Sequence, residues 1–210
     1  AGRVAWRAYV VTGLRASGFG ASGLRDGRQS GSEAFAENLA LTGRVDVRPT
    51  LATLVGASLF TGGSSQGDLD VTARTTLFDL HGELRDRGLE VRALYARGTV
   101  GDAARVNEAN GLEGSASVGS RLEGGYLQVG YDVLARSGGG SGRALVPFVR
   151  IEKLDTQARV PEGYAKDGAN EERLLTFGAS FKPHPQVVVK ADYQDVRNEA
   201  GTGVDRWNVA

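Results

Sequence analysis

The sequence predicts an all-β fold, an antiparallel up-and-down transmembrane β-barrel with about ten strands in this chain. Three observations carry the prediction. Apolar and polar residues alternate with a period of two in segment after segment, the pattern of strands with one apolar and one polar face. The polar face carries full charges in mid-strand. Long polar connections alternate with shorter ones along the chain, an asymmetry that a meandering barrel has and a Greek-key sandwich has no reason to show.

The elements come in this order. "VAWRAYVVTG" (4–13) sets Trp6, Ala8 and Val10 against Arg7, Tyr9 and Val11. "AENLALTGRVDVR" (36–48) sets Leu39, Leu41, Val45 and Val47 against Asn38, Thr42, Arg44 and Asp46. "LATLVGASLFT" (51–61) is apolar on both faces, so its facing is open. "DVTARTTLFDLHGEL" (70–84) sets Phe78, Leu80 and Gly82 against Asp79, His81 and Glu83. "LEVRALYARGT" (89–99) sets Leu89, Val91, Ala93 and Tyr95 against Glu90 and Arg92. "GDAARVNEAN" (101–110) has the composition of one or two helical turns within a loop. "RLEGGYLQVGYDVLA" (121–135) and "RALVPFVRIEKLDT" (143–156) give the next two strands, with Leu127, Val129, Tyr131, Val149 and Ile151 on the apolar side. In "LLTFGASFKPHPQVVVKADYQD" (174–195) two alternating runs flank Pro183-His184-Pro185, and prolines, which cannot donate to a ladder, mark the turn. "RWNV" closes the series. Connections at 49–50, 85–87 and 183–185 are tight; those at 14–35, 100–120 and 157–171 are long; 62–69 and 197–203 are intermediate, and Gly-rich 136–142 is looser than a tight turn.

Composition narrows the class. Lys and Arg (25) balance Asp and Glu (25), so there is no general attraction to nucleic acid. There is no cysteine, hence neither a disulfide framework nor a thiolate metal site. No apolar run reaches the 18 or so residues that a spanning helix needs. The chain lacks methionine, begins on a strand approach and stops within an alternating run, which reads as a single barrel domain or segment, 1–210, truncated at both ends.

The charges suggest which face is inside. An apolar face that is thin and rich in Ala, Val, Leu and Gly suits lipid tails better than an interdigitated core. Trp6, Tyr95 and Trp207 fall near strand ends, where an interfacial girdle places aromatics. The polar face then lines a lumen through Arg7, Arg44, Asp46, Asp79, Glu83, Glu90, Arg92, Asp132, Arg150, Glu152, Lys182, Lys190, Asp192 and Arg206. Signs are mixed along this wall, which implies weakly selective passage, because selective filters use rings of one charge.

The stretch "YVVTGLRASGFGASGLRDGRQSGSEAFAENLALTGRVDVRPTLATLVGASLFTG" resembles a segment of Gram-negative outer-membrane porin-like barrels, in the style of the phosphate-selective and carbohydrate porins. "GSRLEGGYLQVGYDVL", "ALVPFVRIEKLDTQ" and "TFGASFKPHPQVVVKADYQD" followed by "GVDRWNVA" are similar to successive C-terminal strands of that family. The resemblance implies a bacterial outer-membrane location, lipid and lipopolysaccharide around the barrel, and passive diffusion of small hydrophilic solutes without a cofactor. A homo-oligomer is compatible with it. Family members end on an aromatic residue; this chain ends at Ala210.

Other chemistries find little support. "GFGASG" (18–23) satisfies G-x-G-x-x-G, but it leads into loop and strand rather than into the helix of a dinucleotide fold. Asp79, His81 and Glu83 share a face yet spread over about 13 Å, too far to hold one ion. His184 reads as a solvated turn residue. No nucleophile elbow appears, and Glu171 and Glu172 point to opposite faces, so the chain is not read as an enzyme and no metal site is expected. In the loop 13–33, Arg15, Arg25 and Arg28 stand against Asp26 and Glu33, which makes it a candidate constriction loop folding into the lumen. Two further readings stay open: a non-conducting barrel acting as an anchor or adhesin, and a soluble β-sandwich binding module.

Overall fold

The computed structural model describes residues 3–135 and 142–210. Ten strands follow one another across a single sheet in chain order, each antiparallel to the next. They are β1 (Val4–Thr12), β2 (Leu39–Val47), β3 (Thr53–Gly63), β4 (Arg74–Asp86), β5 (Leu89–Val100), β6 (Arg121–Tyr131), β7 (Ala144–Arg159), β8 (Glu171–His184), β9 (Val187–Asn198) and β10 (Arg206–Val209). One helix, α1 (Ala103–Ala109), lies in the β5–β6 connection, where the sequence predicts helical turns.

The antiparallel up-and-down order agrees with the sequence reading. Closure does not appear: among the described residues β1 pairs only with β2, and β10 only with β9, so the sheet is open. The connections alternate as predicted. At one end the β2–β3, β4–β5 and β8–β9 turns are short; at the other, residues 13–38, 64–73, 101–120, 160–170 and 199–205 form the loops. The loose connection at 136–142 falls outside the described residues except for Gly142.

One turn lies later than predicted. β8 runs through Pro183 to His184, which pairs with Val187, and the register is irregular between Phe181 and His184. Proline is tolerated at such an irregularity because the ladder no longer needs its N–H. Pro185 and Gln186 make the actual turn, and the His184 side chain is exposed there, accepting from the Gln186 N–H at 3.4 Å.

The two faces of the sheet differ in cover. Trp6, Leu41, Val45, Leu59, Leu80, Val129, Val149, Ile151, Phe177 and Trp207 all point to one bare face and are exposed. On the inner strands many alternate positions are covered, down to 9 % exposure at Asp46, 4 % at Asp192 and 3 % at Thr176, whereas β1 and β10 are exposed on both faces. The pattern is therefore the reverse of a soluble sheet, in which the apolar face is the covered one.

An apolar core exists, but at the loop end. Ala16, Phe19, Ala73, Val100, Ala103, Val106 and Val118 are buried together, with Leu14, Leu24, Leu69, Val71 and Leu122 packed around them. These residues come from the β1–β2, β3–β4 and β5–β6 connections and the strand ends beside them. Each loop alone is too polar to bury a core; together they form a cap.

Candidate functional site: the charged face and its loop cap

The centre of the covered face is a polar network across β2, β3 and β4. Register puts Asp46 opposite Gly56, and Gly56 opposite His81. Gly56 has no side chain, so His81 reaches across β3: its Nε2 lies 2.9 Å from Asp46 Oδ1, while its Nδ1 lies 2.7 Å from Asp79 Oδ1. A Cβ on Gly56 would fall 2.4 Å from His81 Nε2 and 2.5 Å from Asp46 Oδ1. Arg44 grips the other side of Asp46, with Nε 2.8 Å from Oδ2, and the Ser58 hydroxyl donates to Asp79. Sequence spacing along β4 alone misses Asp46, which becomes visible only once register is known.

The other charges on this face pair along or between neighbouring strands. Arg92 lies 3.5 Å from Glu83 and 3.8 Å from Glu90. Arg85 also contacts Glu83. Arg150 meets Glu152 at 2.7 Å, with its guanidinium 3.9 Å from the centre of the Tyr126 ring. Lys190 meets Asp192 at 2.9 Å, and Asp192 also accepts from the Asn208 amide at 2.9 Å. Most of the charged positions predicted on one face thus form compensated pairs there.

Four predicted positions stand apart. Asp132 lies beyond β6, and its carboxylate accepts from the backbone N–H groups of Leu134 and Leu145, both at 3.0 Å. It is a turn cap rather than part of the wall, because β6 ends at Tyr131. Arg7 faces Arg44 in register. Arg206 faces Gln194, and Lys182 faces Ala144 near the end of β8. Arg7, Arg206 and Lys182 make no ion pair among the described residues. Tyr95 is likewise misplaced as a girdle residue: it pairs with Leu80 and Gly125 in mid-strand. Trp6 and Trp207 are exposed on outer strands, with Trp207 stacked obliquely on Tyr193 at a centroid distance of 5.0 Å.

The loop 13–38 lies over the covered face. Three short turns of tight helix, Ala16–Gly18, Arg25–Gly27 and Gly31–Glu33, shape it. Although it joins β1 to β2, it reaches β7, where the Thr156 hydroxyl donates to the Ala21 carbonyl at 2.5 Å. The Asn110 amide donates to the Ala16 carbonyl at 2.9 Å. Gly27 lets the chain turn against the Phe19 ring: a Cβ there would sit 2.3 Å from it. The G-x-G-x-x-G stretch lies within this loop, with no α-helix after it before β2.

Of the three loop arginines, Arg15 is tied down. Its Nε donates to Asp68 at 2.5 Å, and the Ser17 hydroxyl donates to the same carboxylate at 2.6 Å. Burial raises the Asp68 pKa, but those two hydrogen bonds and the guanidinium charge outweigh it and hold the carboxyl below its ordinary value. Arg25 and Arg28 instead border a hollow lined by Leu14 and Leu24 of the loop and by Phe60 and Leu77 of the sheet.

No family model matches the sequence. An uncharacterized protein of Aquifex aeolicus (strain VF5) is 37 % identical over 198 residues, which cover 90 % of this chain and 45 % of that protein. The chain therefore spans less than half the length of this relative.

Proposed function

We propose that this sheet is part of a bacterial outer-membrane β-barrel, and that its charged face lines a porin-like passage for small hydrophilic solutes. The observation that carries the reading is the inverted cover of the sheet: Ile151 is 59 % exposed and Leu80 50 %, whereas Asp192 on the opposite face is 4 % exposed. Apolar side chains in strands are stable against lipid, and the bilayer requires the backbone to be satisfied within the sheet. In the proposal, further strands of the longer polypeptide cover the free sides of β1 and β10. The paired charges of the wall offer polar footing to hydrated solutes without a field of one sign. Loops and cap face the outside, and the short turns face the periplasm. The reading assigns no catalytic step and no cofactor.

The loop that crosses the covered face favours a second reading, a plugged barrel serving as an anchor or adhesin. Planar-bilayer conductance of the full-length protein separates the two. Discrete ion-conducting steps support the passage, and an electrically silent bilayer containing inserted, folded protein supports the plug. Detergent dependence tests what both share. A β spectrum that forms only with micelles is expected, and a cooperative β fold in plain buffer would replace both with the soluble sandwich.

A further inference from the structure

We infer that the hollow beneath loop 13–38 is a binding site for a compact amphipathic organic anion, of the class of an aromatic monocarboxylate. The inference narrows the solute class of the passage proposed above and rests on that reading for its place in transport.

The hollow is about 480 Å³ and is lined by Leu14, Leu24, Arg25, Arg28, Phe60 and Leu77. Its volume is in the range of small-ligand sites. Four of the six lining residues are large and apolar, and they come from both sides: Leu14 and Leu24 from the loop, Phe60 from β3 and Leu77 from β4. Phe60 and Leu77 are register partners on the covered face, so the floor is a fixed part of the sheet. The only charges in the lining are two guanidinium groups.

Those two cations differ from several others on this side of the sheet. Among the cations left unpaired in the described residues, which include Arg7, Lys182 and Arg206, they are the two that line the hollow. Arg44, Arg150 and Lys190 each hold a carboxylate within 3 Å, and Arg15 of the same loop holds Asp68. Arg25 and Arg28 make no ion pair among the described residues. The tight turn Arg25–Gly27 brings them together, and Arg28 Nε donates to the Arg25 carbonyl at 3.2 Å. Two guanidinium groups that line one hollow, with no carboxylate partner among the described residues, are suited to receive a carboxylate there, by hydrogen bonds assisted by charge. The floor beneath offers nothing to a sugar hydroxyl or a second charge, but it suits a ring or short branched chain. A ligand with one anionic end and one apolar end satisfies both halves of the site. A fully hydrated inorganic anion satisfies only the first.

The test uses the full-length protein in detergent micelles, with benzoate and acetate as probes, read by saturation-transfer NMR and by titration calorimetry. Benzoate is expected to bind more tightly than acetate by on the order of ten-fold, from burial of its ring. R25A/R28A should abolish most of that binding while the β spectrum is unchanged, and R25K/R28K should restore part of it. F60A should weaken benzoate and leave acetate as it was. Equal binding of the two probes, or undiminished benzoate binding in R25A/R28A, would overturn the site. Bilayer conductance is recorded on the same samples. Benzoate binding by a non-conducting protein upholds the site and removes the passage; conduction without benzoate binding does the opposite.

Discussion

At Gly56 a missing side chain decides a contact between two other strands. His81 and Asp46 meet at 2.9 Å only because β3 presents a glycine between them. Gly56→Ala should therefore drive the imidazole and the carboxylate apart and destabilise the fold by roughly 1–3 kcal/mol, as overpacking does. Denaturant titration in micelles would measure it. His81→Asn at the same site leaves space and should cost less than the alanine at Gly56; equal costs would mean that the bridge, not the crowding, dominates. None of this is visible from spacing along β4, where Asp79, His81 and Glu83 lie in a row. It comes from register, which couples residues 35 positions apart.

At the scale of the element, the proposed reading gives strands and loops different solvents, and each can be tested. Ile151 on the bare face of β7 tests the strand. If that face meets lipid, Ile151→Arg should lower the stability of the protein folded in bilayers by about 2–4 kcal/mol near the midplane. If the face meets water, where Ile151 is already 59 % exposed, the change should be close to neutral. The loop 13–38 tests differently, through its clasp on Asp68. Because the folded carboxyl has a lowered pKa, its contribution is fully present above the ordinary carboxylate range and is lost as pH falls through the folded value. Amide exchange in residues 13–38, corrected for the intrinsic effect of pH, should become less protected on acidification, and Asp68→Asn should give that loss of protection already at neutral pH.

Strand order was legible at this scale because period-two alternation is local; β2, β5, β7 and β9 lie within a few residues of their predicted spans. Facing within β3 was not, since "LATLVGASLFT" is apolar on both sides and only its neighbours settle it. The destination of the candidate constriction loop was half legible. Its arginines and glycines flagged 13–33, but not that Arg15 would be consumed by Asp68, 53 positions away, while Arg25 and Arg28 stay unpaired among the described residues.

Among the described residues the molecule is an open sheet bearing a packed loop cap. Its two free edges differ: β1 offers nine residues and β10 only four. A sheet with unpaired edges invites pairing with another chain. Unless further strands cover that edge, as proposed above, residues 1–210 should therefore associate through β1 in micelles. Light scattering would show the association, and a monodisperse sample would count against an accessible β1 edge. Closure was beyond the sequence for a physical reason. Alternation specifies each strand's faces, but closing a barrel depends on how many strands share the circumference.

The separation of the cap from the sheet has a thermal consequence. Phe19, Val106 and Val118 are buried by the hydrophobic effect in water, a force that fades on cooling. If the bare face is set against lipid, as proposed, it draws nothing from that force. The cap should accordingly be the part of the protein that loosens in the cold, with its own heat-capacity step in calorimetry, while the strands beneath it remain ordered.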